Sequence, residues 1–122
     1  MRNLAVLDDA CILYPAPLRD LLMQLAVSHL FSAKWTNEIH EEWMRNLLEN
    51  RPDLRREQLE RTRNLMNAHV QDCLVTGYEE LIPVLTLPDP KDRHMLAAAI
   101  RSGSNVIVTF NLKHFPENEL TA

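Results

Sequence analysis

Short runs of apolar residues alternate along the chain with longer segments in which apolar residues recur every three or four positions. The runs at 3–7, 30–35, 73–76 and 106–108 are too short for helices and predict four β-strands. The first of them is continuously apolar, which is typical of a strand covered on both faces, as in a parallel sheet. We therefore expect a buried parallel sheet at the centre of the protein.

The segments between these runs have helical spacing. Helices are predicted at about 18–28, 38–50, 54–68 and 79–85, and from Pro90 to a stop at Gly103. Their apolar stripes are, in order, Leu18, Leu21, Leu22 and Leu25; Ile39, Trp43 and Leu47; Leu59, Leu65 and Met66; and Leu96, Ala99 and Ile100. Thr36 or Asn37 can cap the second helix, and Asp53 the third. The alternation predicts a three-layer α/β/α domain with a central parallel sheet of about four strands.

Composition and charge narrow the classes of function. The chain has 122 residues, enough for a single domain, and its formal net charge of −4 argues against holding nucleic acid by bulk positive charge. Only two glycines occur, which excludes a glycine-rich phosphate loop. No apolar stretch reaches the length of a membrane span and no signal-peptide pattern is present, so we expect a cytoplasmic protein. Cys11 and Cys73 lie in apolar runs and are expected to be buried free thiols.

Acidic and polar residues follow the predicted strands. Asp8 and Asp9 come at the end of the first strand, Thr109 and Asn111 follow the last, and Glu42 lies beside the buried face of the second helix. Ligands of open α/β sheets bind beyond the carboxyl ends of the strands, so these positions fit a site. Since strand neighbours point to opposite faces, we expect one member of the Asp8–Asp9 pair to serve it.

An acidic loop opens the last helix. Asp89 can be its N-cap, Pro90 its first residue and Asp92 its third, so both acids have a purely structural explanation as stabilisers of the helix terminus. Capping does not account for Asp9 and Glu42 at the same end of the predicted sheet. Oxygen ligands without histidine or cysteine suit Mg²⁺ or Mn²⁺, and such ions promote hydrolysis of phosphate esters.

Four segments together resemble the successive motifs of the PIN-domain family. They are Asp9-Ala10-Cys11-Ile12-Leu13-Tyr14-Pro15, Thr36-Asn37-Glu38-Ile39-His40-Glu41-Glu42-Trp43, Asp89-Pro90-Lys91-Asp92-Arg93-His94-Met95-Leu96-Ala97-Ala98-Ala99 and Val108-Thr109-Phe110-Asn111. The resemblance implies a Rossmann-like fold and a Mg²⁺- or Mn²⁺-dependent endoribonuclease. In bacteria such a protein is often the toxin of a toxin–antitoxin pair, as in VapC-like toxins, which implies an RNA substrate and an antitoxin partner.

The resemblance also assigns roles to individual residues. The implied catalytic residues are Asp9, Glu42, Asp92 and Asn111. The first three bind the metal, with Asp8 and Asp89 as auxiliaries, and Asn111 positions water or phosphate together with Thr109. The sequence Ala-Cys-hydrophobic favours Asp9 over Asp8 as the first acid. Asn111 stands where the family has its last acid, and the family's last strand and helix are expected to be absent. An exposed sheet edge of this kind favours a homodimer.

Other readings of the sequence remain open. A catalytically degenerate PIN fold that binds RNA or a protein partner is the main alternative, favoured by Asn111 and the acidic pI. A phosphoacceptor receiver domain, suggested by the Asp8–Asp9 pair, needs a further aspartate at the end of the third strand, and the segment 73–77 contains none. The arginine-rich helix at 54–68 is expected to be solvated, with contact to RNA phosphate as the alternative. His94 and His114 lie near the predicted site and are expected at the surface, with contact to phosphate as the alternative.

Overall fold

The computed structural model describes residues 4–28, 30–70, 72–85 and 90–109, with side chains in the last range from Arg93 onward. The strands are β1 (Ala5–Asp8), β2 (Ser32–Lys34) and β3 (Val106–Val108). The helices are α1 (Ala10–Leu13), α2 (Ala16–Val27), α3 (Asn37–Asn50), α4 (Arg56–His69), a 3₁₀ helix (Glu79–Val84) and α5 (Pro90–Ser102). The predicted α/β class is confirmed.

The sheet is parallel, and its strands lie in the order β2-β1-β3. Val6 of the central strand pairs with Ala33 on one side and with Val106 on the other. The chain crosses from β1 to one neighbour and later returns to the opposite side, so the order of strands reverses at β1. The carboxyl end of β1 is therefore the switch point at which α/β sheets place their ligands.

The expected count of about four strands is wrong for the part of the chain that the structure describes, where the sheet has three. The run at 73–76 forms a single parallel bridge between Leu74 and Trp35 instead of a strand. Positive φ angles bracket this run, 55° at Asp72 and 71° at Gly77, and they turn the backbone away from an extended path. The apolar composition of this run therefore predicted that it adjoins the sheet, but not that it pairs through a single bridge.

The helix boundaries depend on local capping. Thr36 accepts a hydrogen bond from the Ile39 amide at 3.0 Å and caps α3, as predicted. Asp53 does not cap α4, because its carboxylate accepts two hydrogen bonds from Arg51, at 3.0 and 2.9 Å. That helix starts two residues late, at Arg56, after the Arg55 amide has bonded to the Gln58 side chain.

Two further boundaries follow from backbone chemistry. Pro83 lies inside the segment 79–84, which forms a 3₁₀ helix instead of an α-helix, since proline lacks the amide that an α-helix uses. Pro17 is in the first turn of α2, which begins at Ala16, two residues before the predicted start. The stop at Gly103 is confirmed, with a φ of 67° that other residues adopt only under strain. The one-turn helix α1 was not predicted.

The core lies between the sheet and the helices that cover it. The face of α3 that carries Ile39 and Trp43 is fully buried, as predicted, and each large side chain removed from water contributes about 2 kcal/mol. On α5, Ala97 and Ala98 are also fully buried, which lets this helix pack closely on β1.

Three residues of the predicted stripes are exposed to solvent. Leu21, Leu65 and Ile100 are about half exposed, at 50%, 52% and 52%. On α2 the reason is a rotation of the helix about its axis, which buries Arg19 and Ala26 and turns Leu21 outward. Within the described residues, no helix is long and apolar enough to cross a membrane.

Candidate functional site

Asp9 is the first residue after β1, and its carboxylate joins two elements. One oxygen, Oδ1, accepts a hydrogen bond from the Ala10 amide at 2.7 Å and caps α1. The other, Oδ2, accepts one from the hydroxyl of Thr109 at 2.7 Å, directly after β3. The Asp9 amide in turn donates to the carbonyl of Val108 at 3.0 Å. Adjacent parallel strands thus bring two of the predicted site residues, 100 positions apart, into contact.

Asp8 lies in a different environment, although it is the next residue in the chain. It is still part of β1, its side chain is fully buried, and neither carboxylate oxygen has a hydrogen-bond partner among the residues that the structure describes. Burial raises the pKa of Asp8 from 3.8 to about 7. The two acids therefore differ as the strand alternation predicted: Asp9 faces Thr109, and Asp8 is enclosed in the interior.

Glu42 is close enough to Asp9 for the two charges to interact. Its side chain is half buried on the shoulder of α3, where it was predicted. Burial raises the pKa of Glu42, and the negative charge of Asp9 raises it further, while His94 and Arg45 act in the opposite direction. The structure therefore places a second carboxylate within electrostatic reach of the strand end.

Three residues around Glu42 were not predicted as part of the site. Glu38 lies one helical turn before it and accepts a hydrogen bond from the Tyr78 hydroxyl at 2.9 Å. His94 is buried, with Nδ1 3.7 Å from Glu38 Oε1, so its expected position at the surface is wrong. Burial raises the pKa of Tyr78 to about 12. The signal for Glu38 was present in the sequence, since residues four apart share a helix face.

The structure leaves part of the predicted set untested. Asp92 is the third residue of α5, as predicted, but the description of that helix includes side chains only from Arg93 onward. Asp89 and Asn111, like His114, lie outside the described residues. Within the described residues, no three acidic, histidine or cysteine side chains are grouped closely enough to hold a metal ion. The three-acid cluster thus stays a prediction, of which Asp9 and Glu42 are the described members.

Cys11 lies at the edge of the Asp9–Thr109 contact. Its sulfur is 3.5 Å from Asp9 Oδ2 and 3.5 Å from the Thr109 hydroxyl. The thiol is half buried in α1, not in a strand, whereas Cys73 is a buried free thiol, as expected. Since Cys11 donates towards the same oxygen as Thr109, it adds to the polar contacts that orient Asp9.

The arginines of α4 contact acidic side chains. Arg56 donates to Glu41 at 2.6 Å and lies 3.6 Å from Glu60, and Arg63 lies 3.9 Å from Glu41. These contacts cross the exposed surface between α3 and α4, as expected for a solvated helix with interleaved charges. Part of the positive charge on this face is therefore offset within the protein itself.

The described geometry defines a parallel α/β fold with carboxylates at the carboxyl edge of its central strand. A family model described as PIN domain matches residues 5–113, so the chain belongs to the PIN-domain family. The chain is also similar to the putative ribonuclease VapC50 of Mycobacterium tuberculosis (strain ATCC 25618 / H37Rv), with 54% identity over 44 residues. That match covers 36% of this chain and 25% of the relative's own length. No solved structure matches the chain significantly.

Proposed function

We propose that the protein is a divalent-metal-dependent endoribonuclease that hydrolyses RNA phosphodiesters and acts as the toxin of a bacterial toxin–antitoxin pair. The observation that carries the proposal is the convergence of Asp9, Thr109 and Glu42 at the switch point of the sheet. Membership of the PIN-domain family and the similarity to a relative named as a putative ribonuclease support it.

The donor chemistry of this edge fits Mg²⁺ or Mn²⁺. Oδ1 of Asp9 accepts a hydrogen bond from the Ala10 amide and retains a second lone pair for a cation, while Oδ2 accepts from Thr109 and Cys11. The repulsion between Asp9 and Glu42, which raises the pKa of Glu42, is the kind of unfavourable interaction that a bound cation relieves. Asp9, Glu42 and Asp92 are the proposed ligands. The ion would supply Lewis-acid stabilisation of charge on the phosphodiester.

The chain's own residues orient the reactants. Thr109 donates to Asp9 and so fixes the direction of that carboxylate, and the Ala10 amide does the same from the opposite side. We propose that Asn111, two residues further on, positions water or phosphate together with Thr109. Asp8 is fully buried and has no hydrogen-bond partner among the described residues, so it fits an auxiliary role in shaping the strand end better than direct contact with a ligand.

RNA is the proposed substrate, and a small antitoxin protein the proposed partner. The acidic net charge of −4 means that the negative substrate is held locally, through the cation, and not by a broad basic surface. Partnership with an antitoxin rests on the family alone, and the expected homodimer stays a prediction.

Cleavage of labelled single-stranded and hairpin RNA, with Mn²⁺, Mg²⁺ or a chelator, tests the proposal. We expect Glu42→Gln and Asp92→Asn to reduce the rate by at least about 100-fold, because each removes a proposed ligand worth several kcal/mol of charge stabilisation. Glu49→Gln on the exposed side of the same helix is the matched control and is expected to cut at the rate of the parent protein. Full Mn²⁺-dependent activity in Asp92→Asn would contradict the assignment.

A second candidate function is a PIN-fold module that binds RNA or a protein without cutting. The observation in its favour is Asn111, which stands where the family has its last acid and so removes one negative charge from the proposed metal site. Calorimetric titration with Mn²⁺ separates the two functions. Saturable binding that Glu42→Gln removes supports the nuclease, whereas RNA binding with neither Mn²⁺ uptake nor cleavage supports the module.

A further inference from the structure

Arg19 is a charged residue of α2 that is almost completely buried, with 8% of its surface exposed. Its guanidinium donates from one nitrogen to the carbonyl oxygens of Leu13 at 2.7 Å and Tyr14 at 3.2 Å. Its central carbon lies 4.8 Å from the ring centroid of Trp43 on α3. The cation thus contacts the end of α1 and the buried face of α3 at the same time.

This environment is unfavourable for a cation unless its contacts offset the loss of water. Burial lowers the pKa of Arg19, and its Nε has no hydrogen-bond partner among the described residues. Two carbonyl oxygens at a helix C-terminus and the face of an indole ring are its compensating contacts. A leucine at this position would fill the same apolar stripe without this cost, so stability alone does not explain an arginine here.

The two contacts of Arg19 lie next to the two acids of the candidate site. Leu13 is the last residue of α1, and Asp9 caps the other end of that single turn, about 6 Å away along the helix axis. Trp43 directly follows Glu42 on α3. Helix α1 has only four residues and packs against α3, and a helix of that length has no stability of its own.

We propose that Arg19 is a positioning residue that fixes α1 against α3 and thereby sets the separation of Asp9 and Glu42. It does not reach the site itself, since its hydrogen bonds are at the far end of α1. The inference rests on the proposed function for its catalytic consequence. Its structural part, the attachment of α1 to α3 through the guanidinium, stands without it.

The experiment compares Arg19→Met, Arg19→Lys and Met66→Ala in the full chain. Met preserves the apolar stem without the charge, and Lys preserves the charge without the two-donor fork. Met66→Ala is the control: it removes a buried side chain of α4 and lowers stability without changing the guanidinium contacts. Each variant is measured at a temperature at which circular dichroism shows it folded.

Amide hydrogen exchange reports how easily the hydrogen bonds of α1 open, and so how firmly this helix is held. The probes are the amides of Ile12, Leu13 and Tyr14, which bond to the carbonyls of Asp9 and Ala10. We expect exchange at these amides to be at least about tenfold faster in Arg19→Met relative to the amides of α3, an intermediate effect in Arg19→Lys, and no selective effect in Met66→Ala. Equal patterns in Arg19→Met and Met66→Ala would overturn the proposal, and Arg19→Lys serves this comparison if Arg19→Met does not fold.

Mn²⁺ affinity, measured by calorimetry, reports the consequence for the site. We expect Arg19→Met to lose at least about tenfold in affinity, as for residues that orient metal ligands from behind, while Met66→Ala keeps the affinity of the parent protein. Selective loosening of α1 with unchanged Mn²⁺ affinity would overturn the link to the site. If the parent protein binds no Mn²⁺, the proposed function fails, and the exchange rates of α1 alone decide whether Arg19 holds that helix in place.

Discussion

Two regions of the protein bury ionisable side chains, and they differ in the hydrogen bonds that they provide for the buried group. Between α3 and α4, Trp43 Nε1 donates to His40 Nδ1 at 3.0 Å, and His40 Nε2 lies 3.0 Å from Asn67 Oδ1. Trp35 Nε1 donates to the same Asn67 oxygen at 2.7 Å. Because an indole only donates, His40 Nδ1 must accept, and Nε2 carries the proton. The histidine is thus neutral and fully hydrogen-bonded.

The carboxyl end of β1 contrasts with this network. Asp8 is as deeply buried as His40, and no described residue forms a hydrogen bond with either of its oxygens. A buried polar group without a partner costs stability, and within the described part of the chain no hydrogen bond to Asp8 offsets that cost. The next residue, Asp9, has several partners and lies at the candidate site. The α3–α4 network thus stabilises the fold, whereas the buried Asp8 destabilises the protein at the place where the proposed chemistry occurs.

The largest predicted effect concerns Asp8. Its pKa is raised from 3.8 to about 7, so the stability associated with its proton is present below pH 3.8 and lost as the pH rises through 7. Asp8→Asn has the same shape and cannot ionise. We expect its free energy of unfolding to exceed that of the parent protein by about 4 kcal/mol at pH 8 and to be nearly the same at pH 4. Urea denaturation at the two pH values measures this.

The control for this prediction is Asp20→Asn, which changes an exposed aspartate of α2 and is expected to leave the pH dependence as it is. A parent protein and an Asp8→Asn variant with parallel stability profiles from pH 4 to 8 would show that Asp8 is not enclosed as described. The contrast between the two regions would then disappear.

The second prediction tests His40 from the acid side. Burial lowers the pKa of His40 from 6.5 to about 4, so the neutral ring contributes stability above pH 6.5, and this is lost as the pH falls through 4. The expected loss is about 3 kcal/mol. Ionisation of Asp8 changes the free energy of unfolding in the opposite direction over the same pH range. The effect of His40 is therefore measured in the Asp8→Asn variant, in which Asp8 no longer contributes.

Urea midpoints between pH 7 and pH 4 in that background measure the effect. His69→Gln, at an exposed position of α4, is the matched control and is expected to retain the whole slope. Urea midpoints that do not change between pH 7 and pH 4 would contradict the prediction. They would mean that His40 becomes protonated in the folded protein, although its Nδ1 accepts the hydrogen bond from Trp43 in this structure.

The third prediction breaks the network at its shared acceptor. Asn67→Leu removes the oxygen that accepts hydrogen bonds from the Trp35 indole and the His40 ring. We expect the free energy of unfolding to fall by about 2 kcal/mol, because both donors are left without an acceptor. Asn64→Leu, at an exposed position of the same helix, is the control. Thermal unfolding followed by tryptophan fluorescence measures both. Equal stability of the two variants would mean that the network does not contribute to the fold.

Much of the fold was predictable from the sequence because its signals are local. The continuous apolar run of β1, the cap at Thr36 and the stop at Gly103 each depend on neighbouring residues and were predicted correctly. Tertiary packing decided the rest. The rotation of α2 that buries Arg19 and exposes Leu21 depends on what lies beneath the helix, and no periodicity in the helix itself reports this.

The candidate site was predictable in part, and for different reasons. Strand alternation and the motif order selected Asp9, and topology predicted that Thr109 would meet it; the structure describes that contact. Burial of His94 and the Glu38–Tyr78 bond escaped prediction, because they depend on how α5 and the 3₁₀ helix approach α3. A polar residue near a site gives no sign in the sequence of whether it faces solvent or protein.

The smallest expected effect comes from the exposed charges between α3 and α4, a few residues away from the buried network. Arg56 contacts Glu41 and Glu60 at exposed positions, where water screens the attraction and the side chains lose freedom by pairing. We therefore expect Arg56→Gln to leave the urea midpoint and the rate of RNA cleavage within the error of measurement, in contrast to Asn67→Leu on the inner side of the same helix. A clear loss of RNA cleavage with unchanged stability would instead make this face of α4 part of the substrate-binding surface. A clear loss of stability would mean that the helix is held from its outer face as well as from its core.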